Sequence, residues 1–391
     1  MVWSENTVHA AVTPADGRPA AARDPIEEGS RIMTICNACR YCEGFCAVFP
    51  AMERRFSYAE ADLNYLANLC HNCTECLHAC QYGPPHPFDV NVPKTLAQIR
   101  QRSYEKYCWP QGLGTVYRHS GMSTVLGLMG ALLALLLAAT AALGPHGLAG
   151  SGRTADFYGV IPHVVLASIF GAVFIFVLAA MSVAVRRYLA DTAGSIATSV
   201  GGGLGAGLRD AFSLKYLHGS NQDCSTAESL RTPWRRLFHH FTFYGFLACF
   251  AATCVGTVYH VFGYPAPYPW LSAPVILGTA GGIGLIVGPL GLALNRRQRD
   301  PAATDPAQQG PDRGFILALL LASATGLALL AARPTPAMGW LLVVHLAAVM
   351  TLFLTLPYGK FVHGLYRTAA LVQYARESRS SRPDGAPHAV G

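Results

Sequence analysis

The sequence predicts a mainly α-helical protein in two parts: a small polar N-terminal domain built around cysteines, then a bundle of six transmembrane helices. Three observations predict it. Of 391 residues, 52% are hydrophobic and only 13% charged, roughly half the charged share of a soluble domain. Five stretches, 119–152, 157–185, 237–295, 314–332 and 334–359, contain no Asp, Glu, Lys or Arg. Eight of the twelve cysteines crowd into two short repeats near the N-terminus.

Residues 1–30 lack the apolar run of a signal peptide and read as a flexible tail. Residues 31–110 form the cysteine domain, in which CNACRYCEGFC (36–46) and CHNCTECLHAC (70–80) both follow C-x2-C-x2-C-x3-C. Clustered thiols suit a metal or cluster site, not the framework of a secreted disulfide protein, so a reducing, cytoplasmic setting is expected. The spacing is that of bacterial ferredoxins, where three thiolates wrap one [4Fe–4S] cubane and the fourth reaches the other cluster. On that pattern Cys36, Cys39, Cys42 and Cys80 hold one cluster, and Cys70, Cys73, Cys76 and Cys46 hold the second. The domain is therefore expected to be a two-cluster, ferredoxin-like unit. It departs from the run in one respect, since Ala47 and Gln81 stand where proline normally follows the fourth cysteine. Zinc prefers paired C-x2–4-C units with a longer spacer and fits less well. His71 and His78 read as groups beside the ligands or on the surface, because all four cysteines of each run are present.

Residues 111–367 form the membrane domain. A bilayer needs about 20 apolar residues per helix, which places spans near 121–143, 158–185, 238–262, 271–294, 314–332 and 338–358. GYPAPYP at 263–269 divides the longest stretch, because its prolines remove backbone donors. Lys and Arg gather in the 186–237 loop, in the 296–313 loop and after residue 359, whereas the opposite loops offer only Arg153 and Arg333. Cytoplasmic loops carry such an excess. Both termini, the cysteine domain and the tail 368–391 are thus expected on the cytoplasmic face of a bacterial inner membrane. This bias accounts for most of the net charge of +7, and no nucleic-acid motif accompanies it. The glycines of SVGGGLGAGL (199–208) lack the Lys-Ser/Thr of a phosphate loop and read as a flexible or re-entrant connector. Cys224 reads as an ordinary thiol.

Clusters at the membrane surface call for a further carrier within it, and histidines are placed to hold haem b. In the third span lie His239, His240 and His260; at the sixth lie His345 and His363, 18 residues apart. On one continuous helix that is five turns, about 27 Å, with both side chains on one face. Antiparallel spans would bring His239 or His240 to His363 near the cytoplasmic side and His260 to His345 near the far side, for one or two haems. His163 reads as a packing residue. Arg235, Arg236 and Lys360 read as membrane anchors that could also reach a haem propionate or a quinone.

With both parts read, the sequence resembles the tricarballylate utilisation protein B family, membrane proteins of the citrate-utilisation type. The resemblance runs from about residue 30 onward and is carried by both cysteine repeats, LKYLHG (214–219), RRLFHHFTFYGFL (235–247) and LTLPYGKFVHGLYR (354–367). It implies a partner, the FAD-containing tricarballylate dehydrogenase, whose electrons pass through the clusters and haem to the membrane quinone. Three other readings compete. The relay could serve another flavin-dependent carboxylic-acid dehydrogenase; the clusters could be a redox sensor without haem; or the spans could be a transporter, against which their lack of charge counts. No nucleophile–base constellation points to a substrate-transforming site.

Overall fold

The computed structural model describes residues 23–142, 157–193, 203–217, 232–297 and 300–380. The predicted tail up to residue 22, Cys224 and residues 199–202 of the glycine run lie outside them. Every regular element among the described residues is helical.

Five helices build the cysteine domain. The first, α1 (Pro25–Cys39), is capped by Asp24, whose carboxylate accepts from the Ile26 N–H, with Pro25 at the first helical position. It therefore starts inside the stretch read as tail. It stops at Arg40, which turns left-handed at φ 53°. Then come α2 (Val48–Glu53), α3 (Glu60–Leu69), α4 (Glu75–His78) and α5 (Val92–Tyr107), the last capped by the Asn91 side chain. Ile32 and Met33 of α1, Leu63 and Leu66 of α3, and Leu96 and Ile99 of α5 are fully buried together.

The membrane block comprises α6 (Gln111–Ala142), the short α7 (Phe157–Val160), α8 (His163–Thr192), α9 (Leu204–Phe212), α10 (Thr232–Val261), α11 (Ala273–Arg297), α12 (Gln309–Ala331) and α13 (Met338–Thr355). Six of them, α6, α8, α10, α11, α12 and α13, are long and apolar enough to cross a membrane. Helices α10 and α11 approach through glycine: a Cβ on Gly281 would lie 2.8 Å from the Cys249 nitrogen, and one on Gly284 would lie 3.0 Å from the Phe241 oxygen. Small residues allow such close backbone contact without a hydrophobic drive.

One expectation fails in the last span. His345 and His363 do not share a helix, because α13 ends at Thr355 and a turn over 356–361 precedes α14 (Val362–Ser380). Pro357 supplies the reason: it lacks an N–H to continue the helical hydrogen bonds, so the helix stops although Leu356 before it keeps helical backbone (φ −52°, ψ −46°). The turn also lets α14 leave the bundle and run beneath the cysteine domain. There Glu377, fully buried, meets the Arg55 guanidinium at 2.8 Å, and Arg55 also reaches Asp62 at 2.7 Å. Tyr188 of α8 stacks on Tyr366 of α14 at 5.0 Å, and Tyr107 closes on them at 5.5 and 5.9 Å. The core of the cysteine domain thus continues into α8 and α14 without a break.

Candidate functional site

The thiols fall into two sets of four. Cys36 and Cys39 end α1, and the left-handed Arg40 swings the chain so that Cys42 follows in a turn. Asn72 (φ 52°) and Thr74 (φ 75°) do the same between Cys70, Cys73 and Cys76. Non-glycine residues seldom adopt that conformation, so the curl of each loop is specified. Cys46, Cys70, Cys73 and Cys76 line one small cavity of about 20 Å³. Cys36, Cys39, Cys42 and Cys80 make up the other set. Burial raises the Cys36 and Cys42 thiols, the latter to about 12, and charge on the remaining members of that set pushes them further up. Burial likewise holds Cys46 and Cys76 well above the ordinary thiol range. Four crowded, partly buried thiols ionise together only around a strongly cationic centre. In each repeat the fourth cysteine has joined the set of the other repeat.

The histidines divide differently. His239 of α10 and His363 of α14 meet with ring centroids 5.9 Å apart. Both line a cavity of about 700 Å³ walled by apolar groups such as Phe243, Phe246, Phe315 and Leu319, with Leu204 and Leu208 of α9 closing one side. His363 Nδ1 sits on the Lys360 carbonyl, which leaves its Nε2 available as a ligand. The His239 Nδ1 is buried without a partner. His240, the alternative to His239, lies outside this cavity and stacks on Tyr244 at 5.6 Å.

His260 and His345 do not meet, contrary to the helical-phase expectation. His260 stacks on His163 at 3.7 Å, with Tyr158 at 5.1 Å from each ring. His345 faces α12, where its Nδ1 lies 3.0 Å from the Thr325 hydroxyl. Its ring occupies space that Gly326 leaves open, for a Cβ there would come within 2.9 Å of it. The 356–361 turn is the cause, since it frees the facing of His345 from that of His363.

Three residues join the two parts in a way their sequence positions do not show, although Arg235 reads as an anchor and His71 as a group beside the ligands or on the surface. Arg235 donates to the carbonyls of His71 (2.9 Å) and Asn72 (3.0 Å), and Arg367 donates to the carbonyl of Cys70 (2.8 Å). Each arginine stands four residues from a histidine of the pair, one helical turn away. His71 lines both the small cysteine cavity and the large one. Burial, then the charges of Arg367, Arg235 and Arg100, hold its imidazole well below the usual range and so neutral. Its place inside the second repeat, between Cys70 and Cys73, was the available signal.

A ferredoxin-type cysteine domain seated on six apolar helices defines the class: an iron–sulfur membrane protein of the electron-transfer kind. A family profile described as "Citrate utilization protein B" matches residues 119–384, and another, "Citrate utilization protein B Fer4-like domain", matches residues 29–106. A protein of Escherichia coli named citrate utilization protein B is 49% identical over 371 residues, covering 93% of this chain and 95% of the relative. The chain belongs to the citrate utilization protein B family. No solved structure matches it.

Proposed function

We propose that the protein carries electrons from the reduced flavin of a soluble dehydrogenase, through two [4Fe–4S] clusters and a haem b, to the membrane quinone. The observation that carries this reading is the approach of His239 and His363 on the wall of a ligand-sized apolar cavity that His71 also lines. A cavity of about 700 Å³ lies within the usual range for cofactor sites. The donor set suits haem b: two imidazoles, one oriented by a backbone carbonyl, among aromatic and aliphatic groups.

In this reading Cys36, Cys39, Cys42 and Cys80 hold one cluster, Cys46, Cys70, Cys73 and Cys76 hold the other, and His239 and His363 hold the haem. The cofactors supply one-electron chemistry when bound. The chain supplies distance and order. Arg235 and Arg367 fix the Cys70–Cys73 loop over the cavity, so the second set faces the membrane, and Tyr41, 62% exposed beside the first set, lies on the side open to a donor. The apolar walls exclude water, and Lys360 orients His363 through its carbonyl.

By the charge bias of the loops, the cysteine domain lies on the cytoplasmic side. The donor suggested by the resemblance is tricarballylate dehydrogenase, and both that acid and the citrate in the relative's name are tricarboxylic acids. The test is an absorption spectrum of detergent-purified protein, oxidised and reduced, with iron and acid-labile sulfide counts. A sharp reduced b-type α-band beside cluster iron is expected. Clusters with no haem signal would overturn the membrane half of the proposal.

A further inference from the structure

Beside the large cavity lies a second, more polar one of about 190 Å³ that shares His71, His239, His363 and Arg367 with it. Its volume is too small for a macrocycle and suits the polar edge of a ligand whose body lies next door. Its wall is strongly basic. Lys360 and Arg296 are drawn to one carboxylate, Asp312, at 2.7 and 2.5 Å. Arg235 and Arg367 spend donors on the carbonyls of 70–72. Two guanidiniums are still incomplete: Nε and Nη2 of Arg100, and Nε of Arg367, are buried with no hydrogen-bond partner.

Buried guanidinium nitrogens without an acceptor are costly, and each calls for an explanation. The two charges also add to one another. Both side chains line this same cavity. An anion between them would relieve both penalties. The planar guanidinium fork matches carboxylate geometry better than any other side chain does.

We infer that Arg100 and Arg367 form a carboxylate-binding site at the polar edge of the His239–His363 cavity. Two sources offer that chemistry. One is the pair of propionates of a haem held by His239 and His363, a source that rests on the function proposed above. The other is a free di- or tricarboxylate reaching the cavity from the aqueous side. Arg235, Arg236 and Lys360, the residues that sequence reasoning offered for this task, have protein acceptors: loop carbonyls, the Ser213 carbonyl and Asp312.

The test uses the full-length protein in detergent and the variants Arg100→Gln, Arg100→Lys and Arg367→Gln, with cluster iron and acid-labile sulfide as the measure of folding. Arg100 holds no cysteine loop in place, so Arg100→Gln keeps the test clean if Arg367→Gln loses its clusters. With haem in the parent, the inference expects Arg100→Gln to retain haem at least roughly tenfold more weakly against apomyoglobin extraction. What haem remains should have a lower midpoint potential, since a positive charge near the iron is gone, and Arg100→Lys should recover part of both. Unchanged retention and potential in Arg100→Gln would overturn the inference while leaving the haem reading intact. Should the parent hold no haem, the proposed function fails, and calorimetric titration with citrate and with tricarballylate decides the site. Binding that Arg100→Gln abolishes would assign it to free carboxylates, and no binding in the parent would overturn it.

Discussion

The Arg235 guanidinium of α10 donates to the backbone carbonyls of His71 and Asn72, in the middle of the second cysteine repeat. A membrane helix thereby grips the loop that carries Cys70 and Cys73. Hydrogen bonds to charged groups contribute about 2 kcal/mol each, so Arg235→Gln should release the loop. We expect its cluster absorbance to be lost at lower temperature than in the parent, with slower passage of electrons from cluster to haem in stopped-flow reduction. Arg236 reaches the Ser213 carbonyl instead, so Arg236→Gln should leave the loop alone. Equal effects from the two substitutions would refute the grip.

The histidines give a sharper contrast. His239→Leu and His363→Leu should each abolish the b-type α-band while the cluster iron remains. His345→Leu should keep the band, because His345 is bonded to Thr325 within the bundle, and that hydroxyl also has the Leu321 carbonyl as acceptor. His240→Leu should keep it too, since that ring lies on Tyr244 outside the cavity. The reading is wrong if reduced-minus-oxidised spectra of His345→Leu resemble those of His363→Leu.

The contrast also marks how far the sequence could be read. Composition alone carries the mainly helical fold and the six spans, because long uncharged runs have few other uses. The cysteine sets follow from local spacing, which the left-handed Arg40, Asn72 and Thr74 turn into tight loops. Helical phase brings His239 toward His363 but fails for His345, because it assumes one helix where LPYGK makes a turn. Arg235 and Arg367 stand where any membrane protein keeps basic anchors, so nothing local distinguishes their hold on the cysteine loop. The contacts of His163, which reads as a packing residue, and of His71, which reads as a group beside the ligands or on the surface, are not legible for a related reason: their partners come from distant parts of the chain. Contacts of that kind depend on how α8, α10 and α14 are arranged, which no short motif encodes.

Glycine at the α10–α11 contact leads to a packing prediction. A side chain at position 281 would run into the Cys249 backbone nitrogen, 2.8 Å from where its Cβ would stand. Gly281→Leu should therefore push α10 from α11, at a cost of about 1–3 kcal/mol or more for overpacking. Because α10 carries both Arg235 and His239, haem content should fall with stability. Gly130 has open space around it, and Gly130→Leu is the control, expected to purify with the haem content of the parent. A Gly281→Leu protein with normal haem and normal melting would refute the close contact.

The attachment of the cysteine domain rests on a buried charge cluster, in which Arg55 lies between Asp62 and the completely buried Glu377. Such a cluster is close to neutral in net stability while whole, because desolvation offsets attraction. Removing one member is another matter, for it strands a charge in the interior. Glu377→Ala leaves Arg55 with Asp62 and the Ala51 carbonyl, without the buried carboxylate, and takes an acceptor from the Tyr65 hydroxyl. The expected loss is about 3–5 kcal/mol, felt first where the domain meets α14. Limited proteolysis should then release a fragment cut between α5 and α6, and the visible spectrum of the clusters should bleach sooner in air. Arg379→Ala, two residues on and exposed, should resist the protease as the parent does. If Glu377→Ala is equally resistant, the domain is held by the Tyr107–Tyr188–Tyr366 contact and not by the ion cluster.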